Sequence, residues 1–109
     1  MPEYDYVDLL ITGDDLTLDV GGEPRLIYDK DCITQDIKHL IRESGLLVAI
    51  VGQRDEAVVS GNLLSLALLI EDDQRMVPGT VAITQTELGV FLIVASTYKY
   101  GDINLQVKA

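Results

Sequence analysis

The sequence predicts an α+β domain in which two helices pack on a mostly antiparallel sheet formed by an N-terminal and a C-terminal β-meander. Three observations carry this expectation. Apolar residues recur at helical spacing in the middle of the chain, they alternate at period two near both ends, and Gly-containing turn signals separate the runs. A chain of 109 residues, 48% of them hydrophobic, is expected to form one domain over 1–109.

Residues 7–12 form an apolar run that stops at Gly13-Asp14. Leu16, Leu18 and Val20 then alternate with Thr17 and Asp19, the pattern of a half-buried strand. Gly21-Gly22-Glu23-Pro24 supplies a turn and residues 25–28 a third short strand, which together predict a small antiparallel meander. Asp31 is the expected N-cap of the first helix, since a carboxylate there accepts free first-turn amides. Behind it, Ile33, Ile37, Leu40 and Ile41 share one face, Gln35, Lys38, His39 and Arg42 lie away from it, and Gly45 is a suitable stop.

Residues 46–51 are too short a run to separate strand from linker. A second helix is expected over 56–72, starting either at Glu56 or after Ser60, because Gly61 inside it costs about 1 kcal/mol relative to Ala. Val59, Leu63, Leu66 and Ile70 make its stripe. Leu64, Ala67 and Leu68 widen it, so the helix is expected to be nearly central. Beyond Pro78-Gly79, residues 80–86, 90–97 and 103–108 are rich in β-branched residues and predict three strands.

Composition narrows function. With 18 acidic and 8 basic residues the net charge is −10, which disfavours nucleic acid and anionic membranes as partners. Aromatics are few, so base stacking is not expected. Residues 1–6 lack the apolar stretch of a signal peptide, and the longest apolar run is far below the roughly 20 residues that span a bilayer. Cys32 is the only cysteine and His39 the only histidine, so a metal centre or a nucleophile–base pair lacks parts. Asp14, Asp15 and Asp19, or Asp29 and Asp31, offer oxygens to calcium, but turn and capping roles account for them. Cys32 reads as a small packed residue or, given first-turn amide dipoles, as an activated thiol. Glu43, Glu56, Glu71 and Asp73 show no spacing that marks a glycosidase pair. Neither catalysis nor a cofactor is expected.

One cluster stands apart. Glu71-Asp72-Asp73-Gln74-Arg75-Met76 joins the second helix to the C-terminal strands, and Arg75 either pairs locally with Asp72 or Glu71 or offers its planar donor fork to a partner.

The order of these elements resembles the baseplate wedge, or sheath-initiator, family of contractile phage tails, with its Mu-like, T4-type and type VI secretion members. The resemblance rests on several features. They are the acidic strand-turn-strand opening (Asp15-Leu16-Thr17-Leu18-Asp19, then Pro24-Arg25-Leu26-Ile27-Tyr28), the Ile33, Ile37, Ile41 spacing, and Gly101 near the last turn. The family's Glu-Pro-Arg-Ile motif corresponds to Asp73-Gln74-Arg75-Met76, with Gln74 departing from the proline.

The resemblance implies a structural subunit of a virion tail baseplate, assembled in the host bacterial cytoplasm. Its partners would be other wedge proteins and the sheath or tube base, with Asp73 and Arg75 at the contact. The same outline is shared by an anti-adaptor that sequesters a host protein, which is the alternative reading. A third, peptidoglycan hydrolysis, lacks the carboxylate arrangement it needs.

Overall fold

The computed structural model describes residues 5–12, 15–18 and 20–109. It is an α+β domain. A C-terminal sheet of β5 (Ala82–Glu87), β6 (Val90–Thr97) and β7 (Gly101–Lys108) is antiparallel in the order β5-β6-β7. One face is covered by α1 (Lys30–Ser44), α2 (Leu46–Ile50) and α3 (Glu56–Glu71).

The period-two pattern does what it predicts. Phe91, Ile93 and Ala95 of β6 and Ile103, Leu105 and Val107 of β7 are all buried, while the residues between them face outward or lie at the margin. Against them pack Ile33, Ile37 and Ile41 of α1 and Leu66 and Ile70 of α3, each almost fully enclosed. Fully burying an aliphatic side chain contributes roughly 1.5–3 kcal/mol, so this cluster is the main source of stability.

The N-terminal strands do not join that sheet. β1 (Val7–Leu9) pairs with β4 (Leu26–Tyr28), and β2 (Ile11–Thr12) with β3 (Asp15–Leu16), giving a separate twisted ribbon. The expected first strand breaks at Leu10, whose N–H donates to Arg25 O while its carbonyl accepts from Thr17. One run of six residues therefore pairs with two different partners, rather than lying at the edge of a simple meander. Val7, Asp8 and Leu9 are all exposed, so no buried face forces these strands onto the larger sheet. The Asp14, Asp19 and Gly13-Asp14 readings lie outside the described residues.

Helix boundaries refine the sequence reading. The N-cap of α1 is Asp29, not Asp31; the helix starts two residues earlier than expected, and Asp31 sits in its first turn. Asp29 makes no side-chain capping bond. Its Oδ1 instead accepts the amides of Asp5 and Tyr6, at 2.8 and 3.0 Å, pinning the start of the ribbon. Its φ of 46° lies where non-Gly residues are uncommon, and those two charge-assisted bonds compensate.

Gly45 ends α1 in the left-handed region, donating to Arg42 O, and turns the chain into α2. The undecided run at 46–51 is thus mainly helical, with Leu47 and Ile50 three residues apart on its buried side. Asp55 caps α3 by accepting from Ala57 and Val58, which settles its start at Glu56. Gly61 therefore lies inside a continuous helix, and a Cβ placed there meets nothing within 4 Å. Gly61→Ala is expected to raise stability by about 0.5–1 kcal/mol, read as a higher urea midpoint at unchanged slope. A lower midpoint would show that this backbone is not regular helix. Among the described residues no helix is long and apolar enough to cross a membrane.

Candidate functional site

The segment between α3 and β5 is stitched to the end of β6. Val77 N–H donates to Ser96 O, Tyr98 N–H donates to Arg75 O, and Met76 bridges to Thr97. This brings Asp73 and Arg75 against α1, and the two sequence-predicted site residues meet there. Arg75 Nε donates to Asp73 Oδ1 at 2.9 Å and Nη2 to Asp73 Oδ2 at 2.6 Å, a bidentate fork. The Arg75 amide reaches the same Oδ1 at 2.9 Å, and Nη1 donates to Asp36 Oδ2 at 3.0 Å. The guanidinium also lies 5.2 Å from the centre of the Tyr6 ring.

Local pairing is thus the observed state, but with Asp73 and Asp36 rather than Asp72 or Glu71. Glu71 instead accepts from the Gly79 amide at 2.8 Å and fixes the Pro78-Gly79 turn. The electrostatics follow this geometry. The hydrogen bond from Arg75 holds the Asp73 carboxyl below its ordinary value against partial burial. Arg75 is in turn pushed up, by Asp73 first and also by Asp36.

Beside the clamp, Asp5 accepts from Lys99 Nζ and from Tyr100 OH, and Tyr6 meets Tyr100 edge to face with centroids 6.3 Å apart. The Lys99 hydrogen bond depresses the Asp5 carboxyl, while burial and Asp5 raise the Tyr100 phenol. These groups border an open groove of about 490 Å³ between the ribbon and the β6–β7 turn, where Gln74 and Tyr98 are exposed along with Asp5, Tyr6 and Lys99. Arg75 therefore holds three segments together, and its guanidinium is less exposed than the neighbouring Gln74, Tyr98 and Lys99.

Other candidates resolve similarly. Cys32 is buried, its thiol donates to Ile27 O at 3.2 Å, and burial followed by nearby carboxylates raises its pKa. It is a packed residue rather than an activated thiol. Gln35, expected on the polar side of α1, is only 9% exposed. Its Nε2 donates to Leu9 O and its Oε1 accepts from Ile11 N–H, both at 2.9 Å, so one side chain imitates a strand partner and seats the ribbon on the helix. No apolar pattern marks such a residue. His39 is half-buried and lines a second groove. Among the described residues no three His, Cys, Asp or Glu side chains converge.

The largest departure concerns α3. Rather than being central, it buries one side and leaves Leu64 (61% exposed), Leu68 (57%) and Val58 (41%) on the other. Ala57, Gly61 and Ser65 lie between them on the same exposed side, which carries no charge between Ala57 and Leu68 and meets the exposed Asp72 one turn later.

A family model described as protein of unknown function (DUF2590) matches residues 7–106. The sequence is 43% identical over 99 residues to a protein of Haemophilus phage HP1 (strain HP1c1) named "Uncharacterized 12.7 kDa protein in lys 3'region", covering 91% of this chain and 89% of that protein. No solved structure gives a significant match.

Proposed function

The chain belongs to the DUF2590 family, and from that premise we propose that it is a phage-associated docking subunit of a contractile-tail baseplate that acts without catalysis. The phage-encoded relative supports the association with phage. The wedge-like order of elements supports the finer placement.

The exposed side of α3 carries the docking role. A helix apolar all round belongs in an interior, yet here one side faces solvent in a chain of net charge −10. Gly61 adds to this. Within the chain nothing requires a glycine there, and it weakens the helix. Small residues at 57, 61 and 65 let another backbone approach closely, flanked by Leu64 and Leu68. A partner helix laid along this ridge would bury Val58, Leu64 and Leu68 together. Each is worth up to about 1.5–3 kcal/mol, enough for a central hot spot.

Asp73 and Arg75 enter this reading as positioning residues. Their clamp fixes the segment that presents Gln74 and Tyr98 at a second contact, with other wedge proteins and the sheath or tube base as the proposed partners in the virion.

Leu64→Asp/Leu68→Asp tests the reading. Co-expressed with the tail proteins of its phage, the wild-type chain is expected to co-purify with a wedge partner. The double variant is expected to lose that partner by 100-fold or more in affinity, while keeping its helical circular dichroism and thermal midpoint. Equal retention by both proteins would overturn the α3 interface. Capture of one host regulator instead would favour the anti-adaptor role, and turnover of purified cell walls a hydrolase.

A further inference from the structure

The second groove, also about 490 Å³, runs between the ribbon and α1. Leu10, Ile11 and Ile27 give it an apolar part beside the polar Thr34 and Gln35, and Arg25, Lys38, His39 and Arg42 complete the lining. Among the described residues Asp31 is the only carboxylate along it. In a chain with 18 acids and 8 bases this is a reversal of the overall balance. Among the described residues Arg25, Lys38 and Arg42 take part in no ion pair, unlike Arg75 and Lys99. Three of the eight Lys and Arg residues thus line one groove without an ion pair among the described residues, beside a surface suited to an apolar side chain.

We infer that this groove receives an acidic segment of a partner protein, which seats an apolar side chain on Leu10, Ile11 and Ile27 and sets carboxylates against Arg25, Lys38 and Arg42. The occupant docks through side chains. The backbone at the floor is already engaged, since Leu10 N–H donates to Arg25 O, Leu10 O accepts from Thr17, and Ile11 N–H donates to Gln35. Strand addition therefore has no free ladder to extend here.

Charge decides between occupants. At physiological salt, charges interact strongly only within about 8 Å, so an acidic segment feels the rim more than the distant carboxylates. A second copy would set a whole −10 surface against another. A nucleic acid extends beyond the groove onto acidic surface, and among the described residues no aromatic side chain lines it for stacking. The site is separate from the α3 ridge, so it extends the docking role without depending on that interface.

The probe is a fluorescein-labelled peptide, Gly-Ser-Glu-Glu-Leu-Glu-Glu-Leu-Ser-Gly, followed by anisotropy with the full chain at 50 and 200 mM salt. It is expected to bind, to weaken with salt, and to weaken at least tenfold with Lys38→Glu/Arg42→Glu or fivefold with the milder Arg42→Gln. The same peptide with Gln for every Glu is expected to bind at least tenfold less well. Leu64→Asp/Leu68→Asp is expected to bind it normally, which separates this groove from the α3 reading. The inference is overturned by equal binding of the Gln peptide, by indifference to both charge variants in folded protein, by tighter binding of a ten-nucleotide single strand, or by concentration-dependent self-association that Lys38→Glu/Arg42→Glu abolishes.

Discussion

Arg75→Ala is expected to lower stability by about 2–3 kcal/mol, well above the 0–1 kcal/mol typical of an exposed pair. The reason is what the truncation leaves behind. Asp73, four-fifths enclosed, keeps only the backbone amide of residue 75, and Asp36 loses its bond across 39 positions of sequence. Asp36 is itself 44% exposed, so solvent screening limits its share. For a domain of this size the loss corresponds to roughly a 10 °C lower thermal midpoint. Arg75→Lys is expected to recover less than half, since an ammonium cannot reproduce the planar fork. A midpoint within 2 °C of wild type for Arg75→Ala would remove the clamp from the account of stability.

The pH dependence of the same pair has a definite sign. Asp73 has a folded pKa below its ordinary 3.8, because Arg75 favours the carboxylate. Its stabilisation is therefore complete above that ordinary value and declines as pH falls through the depressed folded one. Asp73→Asn should be less stable than wild type at neutral pH, and the difference should shrink on acidification below 3.8. Arg75→Glu would test a docking contact poorly, since it would set a third carboxylate between Asp36 and Asp73 and act on the fold first.

Gln35→Leu is the second large effect expected. The substitution keeps helix propensity and approximate volume but leaves Leu9 O and Ile11 N–H without their partner. Leaving such half-buried backbone groups unpaired costs about 1–3 kcal/mol. The loss should be local, because none of the ribbon's described residues belongs to the main core cluster. Amide exchange at Ile11 is expected to accelerate at least tenfold, while Ile93 and Leu105 in the C-terminal sheet keep their protection. Uniform acceleration across β6 and β7 would show instead that ribbon and body open together.

The elements legible in the sequence were those whose cause is local or periodic. Ile33, Ile37 and Ile41 announce their helix, Gly45 its end, and Ile103, Leu105 and Val107 their strand, because burial on one side of a regular element leaves a repeat. Residues 46–51 became helical through Gly45's reversal of the chain, which a short apolar run cannot encode. Asp29 displaced Asp31 because its carboxylate serves residues 5 and 6 rather than the helix. Gln35 and Asp36 were illegible for a related reason. Their partners lie 24 to 39 positions away, and a polar residue under a ribbon looks like one facing water. At the candidate site, a local carboxylate partner for Arg75 was readable from the acidic run, but the expected partners were Asp72 or Glu71, and neither Asp73 as the actual partner nor Tyr6, Tyr98 and Asp36 could be read. The open side of α3 reads as interior in the sequence because apolar residues look the same whether they end up buried or exposed.

The ties at the two ends of β7 have a mechanical consequence. Asp5 is bound to Lys99 and Tyr100 beside the start of the strand, and Ala109 N–H donates to Gly89 O just past its finish. Tension transmitted between these attachments runs along the strand axis, perpendicular to the β6–β7 hydrogen bonds. The ladder from Val90↔Lys108 to Thr97↔Gly101 is then sheared as a block instead of being peeled rung by rung. Pulled that way, the C-terminal sheet behaves as a strut.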